Sequence, residues 1–189
     1  RPGTIIDGTA GDDFNLRGGG GGDIINGGKG NDRIKGGIGN DRLIGGPGDD
    51  FVRGNIGADW LFGGQGNDKL IQGSRLFGGR GDDRLRAEGP ENYLTDGPGH
   101  DVMIGSGQDE FILVVDGERD RISNFEPGKD KINLVEFGFA DYAQVIEDAT
   151  EITLGRRLGE TVILDLDGGD ELVLNGLTLS ELTADDFIL

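Results

Sequence analysis

The 189-residue chain has no cysteine, one histidine, one methionine and one tryptophan. Without cysteine it has no disulfide and no thiol chemistry, which suits any compartment and a chain that crosses a secretion channel unfolded. With His100 as the only histidine, an HExxH zinc motif, a Cys-His pair and a Ser-His-Asp triad are all excluded. No apolar run approaches the roughly 18 residues of a membrane-spanning helix. The amino terminus carries no signal-peptide pattern. Bases are scarce: 18 Lys and Arg against 36 Asp and Glu give a formal charge of −18, which argues against a nucleic-acid partner. The first residue is Arg1, so the chain reads as a fragment, with any catalytic centre of the parent protein expected upstream.

What is abundant is glycine, 39 residues, far above the usual share of about 7%. Over residues 18–71 the glycines fall into six units of nine: GGGGGDIIN, GGKGNDRIK, GGIGNDRLI, GGPGDDFVR, GNIGADWLF and GGQGNDKLI. Gly18, Gly27, Gly36, Gly45, Gly54 and Gly63 open the units. Asp23, Asp32, Asp41, Asp50, Asp59 and Asp68 fill the sixth place. Ile25, Ile34, Leu43, Val52, Leu61 and Leu70 fill the eighth. The glycine-rich half suits a tight turn with positive φ and close backbone approach. The last three residues suit a short strand whose middle side chain points inward. One such unit buries nothing alone, but stacked copies form a parallel coil with a narrow aliphatic core. A flexible glycine-rich linker has no reason to place an aliphatic residue two after every Asp.

Stacking places the aspartates in columns, about 4.8 Å between neighbours in each sheet. Bare columns repel, and a hard divalent cation resolves the repulsion because carboxylates and turn carbonyls are calcium's preferred donors. The spacing does not match the 12-residue EF-hand loop. Since the repeat accounts for most carboxylates, a glycosidase-like pair has no support. The units resemble the nonapeptide GGxGxDxUx of the RTX (repeats-in-toxin) family. That resemblance implies an all-β parallel β-roll in which each ion lies between turns i and i+2 on one edge. The metal ligands it implies are Asp13, Asp23, Asp32, Asp41, Asp50, Asp59, Asp68, Asp83, Asp101 and Asp109. Turn glycines join them: Gly19, Gly21, Gly28, Gly30, Gly37, Gly39, Gly46, Gly48, Gly64, Gly66, Gly79 and Gly81.

Outside the strict units the pattern loosens. Residues 1–6 read as a lead-in strand. Residues 8–17 are a first unit with Asp13 in the ligand place and Leu16 or Phe14 in the core place. Residues 72–77 lack the turn and the Asp and read as a coil turn without its calcium loop. Residues 78–86 restore the motif with Asp83, residues 87–95 put Asn92 in the ligand place, and residues 96–104 return with Asp101. Residues 105–113 are one short, with Asp109 and Phe111. With residues 72–77 counted as a half-turn, one edge carries Asp13, Asp32, Asp50, Asp68, Asp83 and Asp101. The other carries Asp23, Asp41 and Asp59 and breaks at Ser74 and Asn92. The intervals predict about seven calcium ions, leaving a net charge of about −4, an ordinary soluble value. Without them the chain is expected to be disordered.

After Leu113 the glycines thin out. Strands are expected over 111–115, 120–125, 131–135, 151–154, 161–166 and 171–174, with short helices over 140–147 and 180–182, the second with a Thr178–Glu181 capping box. The passage 120–134 is similar to the segment after the repeats in serralysin-type proteases and mannuronan C5-epimerase R-modules. Residues 182–189 are similar to the carboxy-terminal signals of type I secretion substrates. The expected division is a calcium-binding roll over 1–113 and a capping segment over 114–189. This points to a secreted, extracellular bacterial protein whose partners are calcium, an upstream domain and the type I secretion machinery. A second reading is a module for an anionic polysaccharide such as alginate, held by an outward stripe of Arg33, Lys35, Arg53, Lys69, Arg84 and Arg86. A third is a calcium-dependent adhesin or surface-layer component. The opposite sheet is expected to show an apolar column of Ile24, Ile44, Trp60, Phe62 and Phe77, and His100 to be exposed.

Overall fold

The computed structural model describes residues 2–153, 160–166 and 169–189. The chain winds as a parallel coil whose successive short strands fall alternately on two sheets. In chain order the strands are β1 (Ile5–Asp7), β2 (Leu16–Gly20), β3 (Ile24–Asn26), β4 (Arg33–Ile38), β5 (Arg42–Pro47), β6 (Phe51–Ile56), β7 (Trp60–Gln65), β8 (Lys69–Ile71), β9 (Arg75–Arg80) and β10 (Arg84–Arg86). They continue with β11 (Glu91–Thr95), β12 (Val102–Ile104), β13 (Gln108–Ile112), β14 (Arg119–Ser123) and β15 (Lys131–Asn133). Odd-numbered strands build one sheet and even-numbered strands the other. This is the expected β-roll: each strand from β1 to β13 pairs in parallel with the strand two further on, because the chain must visit the other sheet in between.

The register explains the nine-residue period. On the odd sheet Ile6, Ile25, Leu43, Leu61, Leu76, Leu94, Phe111 and Ile132 stand in one row. On the even sheet Leu16, Ile34, Val52, Leu70, Leu85, Met103 and Ile122 form the facing row. From Ile25 onward these residues are shut off from solvent, so the core is two side chains wide. Leu16, not Phe14, fills the first core place, and Phe14 is exposed.

The sheets cross residue 113 without interruption, since β14 and β15 extend them in the same parallel sense. Beyond them the even sheet adds β18 (Glu171–Asn175), then β17 (Glu160–Asp165) and β16 (Thr150–Thr153), both antiparallel. The odd sheet adds β19 (Phe187–Ile188) against β15. Among the described residues the helices are a four-residue α1 (Tyr142–Val145), capped by the Asp141 carboxylate accepting from Gln144 N–H at 3.1 Å, and three 3-10 turns. The turn at Leu179–Glu181 carries the expected capping box. The expected strand over 131–135 ends at Asn133, because Val135 enters a 3-10 turn. That over 111–115 sits earlier, at Gln108–Ile112. The expected strand over 151–154 reaches Leu154, which lies outside the described residues.

Candidate metal centre

The two edges of the roll carry one aspartate per turn. On the first, backbone N–H groups donate up the column: Asp13 to Asp32 Oδ1, Asp32 to Asp50, Asp50 to Asp68, Asp68 to Asp83, Asp83 to Asp101 and Asp101 to Asp120, at 2.6–2.9 Å. On the second, Asp23 donates to Asp41 and Asp41 to Asp59 at 2.7 and 2.8 Å. There the column stops at Ser74, whose hydroxyl and N–H turn to the Asp59 carbonyl. It resumes with Asn92, Asp109 and Asp130. Asp13, at the open end, is only half-buried, and its Oδ2 accepts from the Thr9 N–H and hydroxyl.

Each carboxylate in the columns has one oxygen accounted for. The other, Oδ2, is buried and has no hydrogen-bond partner at Asp23, Asp32, Asp41, Asp50, Asp59, Asp68, Asp83, Asp101 and Asp109. A row of buried partnerless carboxylate oxygens is costly, and protonation or a cation must neutralise it. Desolvation is the main cause that raises Asp32, Asp41, Asp50, Asp59, Asp68, Asp83, Asp101 and Asp109, with neighbouring carboxylates adding repulsion. It lifts Asp50 and Asp59 to about 6, Asp83 to about 7 and Asp68 to about 8.

The glycines complete the cradle. A β-carbon on Gly45 would stand 2.6 Å from the Gly63 carbonyl oxygen and closer still to Asp50 Oδ2. The same pair of oxygens, the unit's own Asp and the next turn's carbonyl, faces Gly18, Gly27, Gly36, Gly54 and Gly63. Where residues 72–77 lack the glycine turn, Gln72 supplies that carbonyl to Gly54. The second- and fourth-place glycines Gly19, Gly21, Gly28, Gly30, Gly37, Gly39, Gly46, Gly48, Gly64, Gly66, Gly79 and Gly81 all have φ between 106° and 141°. Asn55, in a second place, takes φ 82°, a conformation asparagine tolerates. An all-oxygen donor set of carboxylates and carbonyls, with no nitrogen or sulfur, fits calcium.

The model of the RTX calcium-binding nonapeptide repeat matches the chain in four copies, over residues 4–34, 17–52, 35–70 and 74–89. The units are RTX calcium-binding repeats. No curated protein matches the chain in sequence. Among solved structures the chain is similar to the extracellular lipase LipA from Serratia marcescens, with 19% identity and a TM-score of 0.50. That likeness covers 100% of this chain and 40% of the lipase, so the chain spans well under half of that relative. It is also similar to the AlgE6R3 subunit of the Azotobacter vinelandii mannuronan C5-epimerase, with 21% identity, a TM-score of 0.29, and coverage of 98% of this chain and 78% of that one.

The RTX column runs further than the glycine turns do. Asp120 and Asp130 join the two edges although they lie past the last repeat and were absent from the expected ligands. The signal was present: each stands two residues before a fully buried Ile, as every repeat Asp stands before its aliphatic residue. Asn92, the odd RTX unit, has a different solution. Its amide Nδ2 donates to Asp109 Oδ1 at 2.6 Å and to the Ser106 and Gly89 carbonyls at 3.2 and 3.3 Å. An uncharged donor thus meets the kind of oxygens left open in the other turns.

The polar faces lie apart from these edges. Arg33, Lys35, Arg53, Lys69, Arg84 and Arg86 all stand on the even sheet. On the odd sheet the apolar column is interleaved with arginines: Arg42 lies 4.4 Å over Phe62, and Arg75 lies 4.9 Å over Trp60 and 4.7 Å over Tyr93. Phe62 and Phe77 stack at 4.8 Å. His100 is exposed and pairs with Glu118 at 3.0 Å.

Proposed function

We propose that this chain is the calcium-dependent folding domain of a secreted protein: unfolded at low cytosolic calcium, folded outside the cell, and supporting type I secretion. The observation that carries the reading is the row of buried Oδ2 atoms with no partner, which at Asp23, Asp32, Asp41, Asp50, Asp59, Asp68 and Asp83 stand with a turn carbonyl around the unit's first glycine. Asp13, Asp23, Asp32, Asp41, Asp50, Asp59, Asp68, Asp83, Asp101 and Asp109 would hold the ions with the turn carbonyls. Calcium supplies charge neutralisation there and nothing catalytic. The side chains orient themselves: from Asp23 to Asp101 each Oδ1 is fixed by a backbone N–H from the preceding turn, and Asp109 Oδ1 by the Asn92 amide, which leaves Oδ2 toward the gap. Folding and binding are then one equilibrium, because the gap exists only when two turns stand together. The name of the Serratia lipase, an extracellular protein, supports secretion. Residues 182–189 would carry the secretion signal while also forming the last strand, since β19 buries Phe187 against the roll. In circular dichroism, chelator should leave the chain largely disordered and millimolar calcium should restore the β signal. Magnesium should not, since it keeps its waters and wants an octahedral shell. Full β structure in excess chelator would sink the reading.

A second reading, binding of an anionic polysaccharide, is favoured by the outer face of the even sheet. Arg17, Arg33, Lys35, Arg53, Lys69, Arg84, Arg86, Arg119 and Arg121 stand there, half of the 18 bases in the sequence. No strand from β2 to β14 on that sheet carries an outward acid. A cleft of about 610 Å³ opens among Arg53, Lys69, Arg84 and Arg121. Retention on alginate that weakens with salt, and is lost when Arg53 and Arg84 become Ala, would support it. Retention unchanged by those substitutions would remove it.

A further inference from the structure

The edge that begins at Asp13 ends in a group unlike its other intervals. Asp96 occupies the first place of its unit, where the strict repeats have glycine. One carboxylate oxygen each from Asp96, Asp101 and Asp120 lie within 4.8 Å of one another, and among the described residues no other three acidic, histidine or cysteine side chains converge in this way. All three residues are buried, with Asp96 and Asp101 each 1% exposed.

The fold accounts for only part of this. The next turn, residues 113–118, has no glycine pair. The Asp96 side chain fills in: its Oδ1 accepts from Gly97 N–H at 2.7 Å and Val114 N–H at 3.1 Å. An asparagine would serve those two donors equally well. The Asp96 Oδ2 has no partner, and neither has Asp101 Oδ2. Asp116 and Asp170 stand alongside, joined by Asp116 N–H to Asp170 Oδ1 at 2.9 Å, and Asp170 Oδ2 is a further buried oxygen without a partner. Arg119, the residue before Asp120, is engaged with Glu171, and His100 with Glu118.

We propose that Asp96, Asp101 and Asp120 form a separate three-carboxylate site for a hard divalent cation, calcium first, and that it is the tightest site of the chain. Ligand charge count is what tunes calcium affinity among oxygen sites of similar kind. Here a third, buried carboxylate stands where the strict repeats have a glycine, in a setting with little water to screen it. The site also ties the last repeat turn to β14, the first even-sheet strand after the repeats. The inference rests on the calcium reading of the columns above.

The test is calcium binding by the full chain in chelator-buffered solutions, followed by calorimetry, for the wild type, Asp96→Asn and Asp41→Asn. Asp96→Asn keeps the acceptor for Gly97 and Val114 and removes the charge. It should weaken the tightest class of site about ten-fold or more and lower the ion count by one. Asp41→Asn, in the other column, should leave the tightest class unchanged. An Asp96→Asn protein with the wild-type tightest class overturns the proposal. A wild type that binds no calcium overturns the column reading instead. Circular dichroism at saturating calcium reports whether Asp96→Asn folds. Should it not, Asp120→Asn is measured in the same way, with the same two outcomes.

Discussion

The two edges of the roll are built from the same repeat and differ in continuity. One carries seven aspartates from Asp13 to Asp120 with every backbone link in place. The other carries Asp23, Asp41 and Asp59, loses the pattern at Ser74, takes an amide in place of a carboxylate at Asn92, and resumes with Asp109 and Asp130. Both edges close the same coil around the same core, so continuity of the aspartate column is not needed for the coil to wind. What continuity changes is charge. On the unbroken edge burial and neighbouring carboxylates push Asp50 to about 6, Asp83 and Asp120 to about 7 and Asp68 and Asp101 to about 8. On the broken edge Asp59 and Asp109 reach only about 6, with the Asn92 amide lowering the second. The unbroken edge therefore has more to gain from a cation.

The sharpest break of this comparison is steric. Gly45→Ala puts a methyl between Asp50 Oδ2 and the Gly63 carbonyl, where neither the backbone nor a column carboxylate can step aside. The expected cost is about 3 kcal/mol or more, with a large rise in the calcium needed to fold. Gly89→Ala, on the broken edge, would meet only the Asn92 side chain, at 2.9 Å, and should cost about 1 kcal/mol or less. Equal calcium midpoints in circular dichroism would show that the cradle plays no part in binding. Next in size is Asp50→Ala, which removes a link shared by two intervals. It should lower affinity and cooperativity well beyond Asn92→Ala.

Proton and cation compete for the same oxygens, so pH separates the edges without any substitution. The folded values of these aspartates lie above their unfolded value of about 4. Between the two the folded state holds more protons, so stability of the calcium-free chain falls as pH rises. It is greatest at and below about pH 4 and is lost as pH rises through the folded values, near 6 for Asp59 and Asp109 on the broken edge and from near 6 at Asp50 to near 8 at Asp68 and Asp101 on the unbroken one. In chelator, β structure should be partly recovered at pH 5 and absent at pH 8.5. Apparent calcium affinity should rise over the same range. A calcium-free signal independent of pH would contradict the burial of the columns.

The period of nine made the coil, its core and both columns legible, because each unit states its turn, its ligand and its core residue locally. The terminal part was less so. Its strand positions could be read to within a few residues, but β14 pairs with β18 some 50 residues later, a choice made by packing and not by local pattern. Asp120 and Asp130 lack the glycine turn that marks every other ligand place, and only the Asp-x-Ile spacing carries the column on there. Asp96 was legible as a residue in glycine's place, but its convergence with Asp101 and Asp120 needed the folded geometry.

The smallest expected effect is also the most discriminating. Asn92→Asp would mend the charge pattern of the broken edge at one position. The Asn92 amide now donates to Asp109 Oδ1 and two carbonyls, and a carboxylate cannot. In chelator the variant should lose about 1–3 kcal/mol, since buried acceptors are stripped of their donor and a like charge is set beside Asp109. In millimolar calcium the same oxygens would become a ligand set, and the variant should bind one more ion than the wild type. The order of stability of the two proteins should therefore cross as calcium rises. If Asn92→Asp stays the less stable at every calcium concentration and gains no ion, the amide is a structural filler and not a stand-in for a cation, and the broken edge is closed to metal at that turn by its shape.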